Sequence, residues 1–249
     1  MDALILCGGF ATRLEPITLF MPKPLLPVGG KPLVDYILDD LEKLDINRVV
    51  IATNKRFEDQ FEYWINNKNK NREKKIELVV EPALTNKVKQ GAIKGMKYSI
   101  EKAGLNEDLL VIAGDNYYDF GLEEAVEKFY SKNGPVICVY DINSTEDAKR
   151  FGVVKVEDGV ITNFCEKPEK PESTLVSTGI YAFRKNEIEL IDKYLSDNNN
   201  PDSPGYLVQW LIKNTQVNGV ICKGNWADIG TVESYKKIFS EKHRETLPL

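Results

Sequence analysis

Histidine and cysteine are scarce in this chain, and their scarcity excludes several kinds of active site. The 249 residues include one histidine, His243, in a charged segment. A histidine-based triad and a histidine-rich metal centre are therefore excluded. The cysteines are widely separated, without C-x-x-C spacing, and lie in apolar or strand-like runs: Cys7, Cys138, Cys165 and Cys222. We predict small buried side chains in a reducing compartment, and hence a cytoplasmic protein.

A basic excess and long apolar runs are also lacking. The formal net charge is −5, whereas a general nucleic-acid binder normally carries a positive excess that neutralises phosphates. No segment stays apolar for the roughly 18 residues of a membrane span. The start, MDALILC, has no basic residues and leads directly into glycines, which favours a strand over a signal peptide. We therefore expect neither nucleic-acid nor membrane partners.

Short apolar runs alternate with helix-length amphipathic stretches, a pattern typical of βαβ units around a mostly parallel sheet. The predicted strands are residues 3–7, 48–53, 76–81, 109–114 and 135–140. The predicted helices are residues 32–44, 56–66, 91–103 and 121–132. The expected fold class is α/β, with a Rossmann-like, mostly parallel sheet flanked by helices.

The pattern changes after residue 150. The stretch FGVVKVEDGVITNFCEKP resembles a hairpin that turns at Asp158-Gly159, because Asp-Gly supplies the positive φ of tight turns. The polar stretch 196–205 is predicted to be a surface loop. We expect one domain, 1–249, whose first half, 1–140, is joined by a mixed α+β half, 141–249. No repeat is found, and no hexapeptide run follows residue 230, so a β-helix domain is not expected.

Glycines, two cations and carboxylates follow the predicted strands. Ligands of parallel α/β sheets bind outside the carboxyl ends of the strands. Gly8 and Gly9 come after the first strand and would let backbone N–H groups approach a triphosphate. Arg13 offers a planar fork for phosphate oxygens, and Lys23 a mobile charge. This combination suits nucleotidyl transfer.

Two aspartates are also expected at the carboxyl ends of the strands. Asp115 follows the fourth strand, and Asp228 precedes the last predicted helix. Mg²⁺ prefers a few carboxylates together with waters and substrate phosphates. No nucleophilic side chain is needed, because a phosphate oxygen of the substrate can attack the α-phosphorus, and the protein positions and neutralises the reactants.

A family resemblance rests on the run GGFATRLEPITLFMPKPLLPVGGKP, residues 8–32. It resembles the signature of sugar-1-phosphate nucleotidyltransferases, the NDP-sugar pyrophosphorylases, and is closest to enzymes of the glucose-1-phosphate thymidylyltransferase type. The resemblance continues through GDN (114–116), FGVV (151–154), EKP (166–168), STGIY (177–181) and WADIG (226–230). It implies a Rossmann-like domain that joins a nucleoside triphosphate to a sugar 1-phosphate and releases pyrophosphate in a Mg²⁺-dependent in-line displacement.

The resemblance also implies roles for single residues. Residues 1–140 would bind the nucleotide and residues 141–249 the sugar phosphate. The implied nucleotide-binding residues are Leu6, Gly8, Gly9, Thr12, Arg13, Glu81, Gly91 and Asp115. The implied catalytic residues are Arg13 and Lys23, and the implied metal ligands are Asp115 and Asp228. The implied sugar-phosphate contacts are Gly152, Glu166, Lys167 and Trp226.

Ordinary structural roles are open for several of these residues. Arg13 could cap a helix, and Lys23 could be a solvated surface charge. Asp115 could close a turn after its strand, and Asp228 could cap the final helix. The tryptophan of WADIG could belong to the core.

Three further expectations concern the predicted hairpin, the glycine loop and a pair of tyrosines. Glu166 and Lys167 could be an ordinary charged pair at the exit of a hairpin. Ala11 stands where a third glycine is common, which requires it to keep a negative φ. Tyr117 and Tyr118 are predicted to be packing residues.

The nucleobase is expected to be selected between residues 81 and 91. The overall resemblance favours dTTP or UTP, with glucose 1-phosphate as the sugar substrate. A carboxylate at Glu81 could instead accept two N–H groups of guanine, as in a mannose-1-phosphate guanylyltransferase, or it could cap the following turn.

Two other functions fit the sequence less well. A non-catalytic homologue that senses sugar nucleotides should lack at least one of Arg13, Lys23, Asp115 and Asp228, yet all four are present. A dinucleotide-dependent oxidoreductase is disfavoured, because the first turn lacks G-x-G-x-x-G and the second strand has no acidic residue at its end to hold a ribose.

Overall fold

The computed structural model describes residues 1–68, 72–86 and 90–246. Its strands are β1 Asp2–Leu6, β2 Pro27–Val28, β3 Lys31–Pro32, β4 Val49–Asn54, β5 Ile76–Glu81, β6 Leu109–Ala113, β7 Asn116–Tyr118, β8 Val136–Asp141, β9 Gly152–Glu157, β10 Val160–Glu166, β11 Leu175–Phe183, β12 Asn218–Ile221 and β13 Trp226–Asp228. Its α-helices are α1 Leu33–Leu41, α2 Glu58–Lys68, α3 Ala92–Ala103, α4 Glu123–Ser131, α5 Thr145–Ala148, α6 Glu189–Ser196, α7 Pro204–Asn214 and α8 Val232–Thr246. All five predicted strands and four predicted helices are confirmed, with ends that differ by up to three residues.

A nine-stranded sheet runs through both halves of the chain in the order β5-β4-β1-β6-β11-β8-β12-β10-β9. The first four strands in this order, β5, β4, β1 and β6, are mutually parallel. The long strand β11 is antiparallel to both of its neighbours and separates β6 from β8. The fold is thus a mixed α/β sheet flanked by helices, parallel in its first half as predicted.

Hydrophobic cores lie on both faces of this sheet, because consecutive strand residues point to opposite sides. Ile5 belongs to one core, together with Ile37 of α1 and Phe61 of α2. Its neighbour Leu4 belongs to the other, with Met96 of α3. Burial on both faces explains why the central strands are continuous apolar runs.

The predicted hairpin is confirmed and is formed by β9 and β10. Asp158 and Gly159 have φ of 50° and 77°, the positive values that a two-residue hairpin turn requires. One cysteine prediction is wrong, because Cys165 on β10 is exposed whereas the other three cysteines are buried. Its neighbour Phe164 points into the core, so strand alternation turns Cys165 outward.

None of the described helices combines the length and the apolar character that a membrane crossing requires. Tyr117 and Tyr118 are buried, which agrees with their predicted packing role. The Tyr118 ring stacks on Phe120 with ring centroids 4.8 Å apart, and burial raises the pKa of its phenol.

Candidate active site

Two adjoining cavities open beside the carboxyl ends of β1 and β6. The first has a volume of about 310 Å³ and the second about 240 Å³. The predicted residues in the first are Leu6, Gly8, Gly9, Arg13, Lys23, Glu81, Gly91 and Asp115. The predicted residues in the second are Arg13, Asp115, Gly152, Glu166, Lys167, Trp226 and Asp228. The structure therefore brings together every predicted site residue except Thr12, which is exposed and lines neither cavity.

Lys23 lies between the two predicted metal ligands. Its Nζ donates to Asp115 Oδ2 and to Asp228 Oδ1, at 3.0 Å in each case. The Lys23 side chain is only 5% exposed, whereas that of Asp115 is 49% exposed, so Lys23 is not a solvated surface charge. A buried ammonium held by two carboxylates is well placed beside a phosphate chain.

A small two-stranded sheet explains how the distant aspartates meet. Strands β7 and β13 pair antiparallel, and Asp228 lies opposite Asn116, the residue that follows Asp115. The final helix α8 is capped by Thr231, whose Oγ1 accepts from the Ser234 N–H at 3.2 Å. Capping of α8 is thus provided by another residue, and Asp228 remains directed to Lys23.

The glycine loop differs from its prediction at Ala11, whose φ is +47°, not negative. This left-handed backbone costs about 1–2 kcal/mol for a residue with a Cβ. The Ala11 carbonyl accepts two hydrogen bonds, from Thr18 Oγ1 at 3.0 Å and from the Leu14 N–H at 2.9 Å, which hold the conformation. Arg13 lines both cavities and reaches the boundary between them.

Glu81 lies where β5 ends, against the glycine loop. A Cβ on Gly8 would come within 2.9 Å of Glu81 Oε1, and a Cβ on Gly95 of α3 within 2.7 Å of the same atom. Only glycine leaves room for the carboxylate at these two positions. Burial raises the pKa of Glu81. Residues 87–89 of the predicted base-selecting segment lie outside the described residues.

Gly91 lines the first cavity and packs against the backbone of Pro201. Its φ is +94°, and a Cβ would come within 2.5 Å of the Pro201 carbonyl oxygen. That carbonyl accepts from the Ile93 N–H at 2.9 Å, and the Asp202 carbonyl accepts from the Ala92 N–H at 3.4 Å. The first turn of α3 is therefore covered by the chain between α6 and α7.

In the second cavity Glu166 is held by a hydroxyl and two glycines. Ser203 Oγ donates to Glu166 Oε1 at 3.0 Å. A Cβ on Gly205 would lie 1.9 Å from Glu166 Oε2, and one on Gly152 would lie 3.1 Å from it. The Glu166 side chain is 10% exposed. Its carboxylate is thus oriented, and is not a loose charge at a hairpin exit.

Lys167 and Trp226 both line the second cavity, but Lys167 is exposed and Trp226 is buried. Lys167 Nζ lies 3.8 Å from Glu166 Oε1 and its side chain is 63% exposed, so it is free to turn towards a ligand. Trp226 is 9% exposed and packs against the rings of Tyr140 and Phe151. It belongs to the core and lines the second cavity as well, so the core interpretation is confirmed and contact with a sugar stays a prediction.

Sequence reasoning missed part of the site. The composition of residues 196–205 predicts only a surface loop, yet Ser203, Pro204 and Gly205 line the second cavity, and Pro204 lines both. A Ser-Pro-Gly run that begins a helix was the available signal. Ser177, Thr178 and Gly179 of the STGIY motif also line the second cavity, where the pairing of β11 with β8 is irregular. That bulge directs β11 residues towards the cavity.

Comparison with known proteins gives matches over almost the whole chain. The family model described as "Nucleotidyl transferase" matches residues 2–245. A candidate mannose-1-phosphate guanyltransferase of Sulfolobus acidocaldarius is 32% identical over 240 residues, covering 96% of this chain and 62% of that protein. The bifunctional protein GlmU of Methanocaldococcus jannaschii is 33% identical over 233 residues, covering 92% of this chain and 51% of that protein. The chain thus spans about half to two thirds of the curated relatives it matches.

Solved structures agree on the fold. A candidate glucose-1-phosphate thymidylyltransferase of Bacillus anthracis, in complex with sucrose, superposes with a TM-score of 0.83 at 24% identity, covering 100% of this chain and 97% of that chain. A UDP-glucose pyrophosphorylase complexed with UDP-glucose superposes with a TM-score of 0.79 at 20% identity, covering 98% of both chains. With the match over nearly the whole sequence, the chain belongs to the nucleotidyl transferase family.

Proposed function

We propose that this protein transfers a nucleotidyl group from a nucleoside triphosphate to a sugar 1-phosphate, giving an NDP-sugar and pyrophosphate. One observation carries the proposal: Lys23 Nζ bridges Asp115 and Asp228 where the two cavities adjoin. A nucleotide in the first cavity and a sugar phosphate in the second would meet at this cluster. Family membership supports the same reaction class.

The two aspartates fit a magnesium ion. No group of three or more histidine, cysteine or acidic side chains suited to a metal is found in residues 1–68, 72–86 and 90–246. A cation at Asp115 and Asp228 would therefore need oxygens from substrate and water, which is how Mg²⁺ commonly binds in nucleotide enzymes. Bound there, it would neutralise phosphate charge.

The residues present suit direct attack by the sugar phosphate. Arg13 lines both cavities and can hold phosphate oxygens of either substrate. Lys23 would stabilise the charge that develops at the α-phosphate and the leaving pyrophosphate. Glu166 would accept sugar hydroxyl protons, with Lys167 facing the sugar phosphate. The enzyme then acts by positioning and neutralising, with no covalent intermediate.

Two substrate pairs are candidates. The overall resemblance favours dTTP or UTP with glucose 1-phosphate, and the fold neighbours include a protein described as a thymidylyltransferase. GTP with mannose 1-phosphate is the second pair. It is supported by the relative described as a guanyltransferase and by the position of Glu81, a carboxylate able to accept two N–H groups.

Pyrophosphate release, measured for each of five nucleoside triphosphates with glucose 1-phosphate and mannose 1-phosphate, tests the proposal. We expect turnover with at least one pair, sequential kinetics, and inversion at a stereogenic α-phosphorus. Absence of turnover with every pair, combined with nucleotide binding by calorimetry, would instead identify a sensing homologue. Ping-pong kinetics with retention of configuration would argue against direct attack.

Ser203→Ala should raise the KM for the sugar 1-phosphate about tenfold, because the variant loses a charge-assisted hydrogen bond that orients Glu166. The KM for the nucleotide and kcat should change less than twofold. Ser196→Ala is the matched control, because Ser196 is exposed and its Oγ donates to the Asp192 carbonyl in its own helix. Equal changes for both substrates would show that Ser203 supports the fold and not the sugar site.

A further inference from the structure

Asn54 lies at the end of β4, beside the glycine loop that follows β1. In the ladder between these two strands Leu6, the last residue of β1, is paired with Ala52, and β4 continues past that pair to Asn54. The Asn54 side chain donates from Nδ2 to the Gly8 carbonyl at 3.0 Å. The first residue of the loop beyond the ladder is therefore held by a side chain fixed on the sheet.

Both polar atoms of the Asn54 amide are used, and the side chain is buried, with the residue only 1% exposed. While Nδ2 donates to Gly8, Oδ1 accepts from the Arg56 N–H at 3.1 Å and caps the short helical turn Lys55–Phe57. A carbonyl can only accept and a backbone N–H can only donate, so these two partners fix which way the amide faces. An ionised aspartate would keep the acceptor but lose the donor.

The hydrogen bond to Gly8 sets the direction of the next backbone donor, the Gly9 N–H. The C=O and the N–H of one trans peptide lie in a common plane and point in opposite directions. Asn54 is buried and lines neither cavity, whereas Gly9 is exposed and lines the first cavity. A Gly8 carbonyl turned towards Asn54 therefore turns the Gly9 N–H towards the cavity.

The Gly9 N–H is available to a ligand. It makes no hydrogen bond with residues 1–68, 72–86 and 90–246. A Cβ built on Gly9 would meet no other atom within 4 Å, so the space beside this residue is open. Backbone N–H groups that face such a space commonly hold phosphate oxygens.

Given the proposed nucleotidyl transfer, we propose that Asn54 is a positioning residue for the triphosphate, because it holds the Gly8-Gly9 peptide so that the Gly9 N–H meets a phosphate oxygen. Asn54 acts through Gly8 and does not itself line the cavity. A donor that is oriented before the ligand arrives loses little conformational freedom on binding. The effect belongs to the nucleotide, because the proposed sugar-phosphate contacts lie in the second cavity.

Asn54→Ser removes the donor to Gly8 and keeps the cap. Serine is a good N-cap, so its hydroxyl can still accept from the Arg56 N–H, but it is too short to reach the Gly8 carbonyl as well. The Kd of the nucleoside triphosphate, measured by calorimetry without sugar phosphate, should rise about tenfold. The KM of the sugar 1-phosphate should change less than about twofold. An unchanged Kd of the triphosphate would overturn the proposal.

Asn54→Asp is the second variant, since it keeps both the cap and the size of the side chain. Its carboxylate oxygen would face the Gly8 carbonyl, so the Kd of the triphosphate should rise at least as much as in Asn54→Ser. Asn218→Ser is the matched control: Asn218 is equally buried, donates from Nδ2 to the Asn133 carbonyl at 2.7 Å and lines neither cavity. Its Kd should stay within about twofold of wild type. An equal rise in the control would show that Asn54 only supports the fold.

A spectroscopic measurement follows the Gly9 N–H directly. In protein labelled with ¹⁵N-glycine, the Gly9 amide signal, assigned by comparison with Gly9→Ala, should move when inorganic triphosphate is added. In Asn54→Ser at the same fraction of bound ligand, that movement should be much smaller. A movement as large as in the wild type would overturn the proposal.

The binding measurement also separates this proposal from the proposed function. If no pair of substrates is turned over but the triphosphate binds and Asn54→Ser weakens its binding, the proposed function fails and the role of Asn54 stands. If turnover is found and the Kd of the triphosphate is the same in Asn54→Ser and in the wild type, the proposed function stands and the role of Asn54 fails. A wild type that binds no nucleoside triphosphate would overturn both.

Discussion

Lys23→Ala should lower kcat about 100-fold or more, with much smaller changes in the KM of either substrate. The reason is that Lys23 is a preorganised donor held by two carboxylates at 3.0 Å, and such donors are worth about 3 kcal/mol in the transition state. The negative charge on the α-phosphate and the leaving pyrophosphate is greatest in the transition state. Loss of the Lys23 ammonium should therefore lower kcat more than it changes KM. Steady-state kinetics at saturating concentrations of both substrates measures this.

A purely structural role for Lys23 makes a different prediction. Removing one partner of a buried ion pair destabilises a protein by up to about 3–5 kcal/mol, an upper limit here because the Asp115 side chain is half exposed. The thermal midpoint would then fall while kcat of the folded variant stayed unchanged. Lys31→Ala is the matched control: Lys31 belongs to the same signature run, pairs with Asp39, and lines neither cavity. Its kcat should remain within about twofold of wild type.

Asp228→Asn and Asp115→Asn should each reduce turnover by about 100-fold or more, and chelation of divalent cations should abolish wild-type activity. Asparagine keeps the size of the side chain but removes the charge that would hold Mg²⁺ beside the phosphates, and such a cation supplies several kcal/mol of charge stabilisation. Initial rates across a titration of MgCl₂ test this. The variants should need more Mg²⁺ for half-maximal rate.

Asp192→Asn is the control for these variants, because Asp192 is an exposed carboxylate that pairs with Lys97 away from the cluster. Its rate and its Mg²⁺ requirement should match the wild type. Full wild-type activity in excess chelator would refute the metal role of the aspartates. The pair would then serve only to position Lys23.

The parallel half of the fold could be predicted from the sequence because its information is local. Strands β1, β4, β5 and β6 are short apolar runs, and each is separated from the next by a helix-length amphipathic stretch. Burial on both faces produces that pattern directly. The Asp158-Gly159 hairpin was predictable for the same reason, since the turn chemistry resides in two adjacent residues.

The arrangement of the second half was not visible in local patterns. Strand β11 comes late in the chain, yet it pairs between β6 and β8. No periodicity encodes which strand lies beside which, because pairing depends on how whole layers pack. The position of residues 196–205 at the candidate site could not be predicted for the same reason. A polar Pro- and Gly-containing stretch has the composition of a surface loop, and only the tertiary structure places it against Gly91 and Glu166.

For the candidate site, the sequence by itself determined which chemical groups are available: the glycines of the first loop, two cations and two aspartates, arranged in motifs that resemble a known signature. Only the tertiary structure decided which of these groups meet. The pairing of β7 with β13 brings Asp228 to Asp115, and burial of Lys23 between them follows from it. The left-handed backbone at Ala11 differs from its prediction for a local reason, because hydrogen bonds from Thr18 and Leu14 of the same loop hold it. Contacts between residues distant in sequence decide how these charges are arranged, because the free energy of a buried charge depends on the groups packed around it.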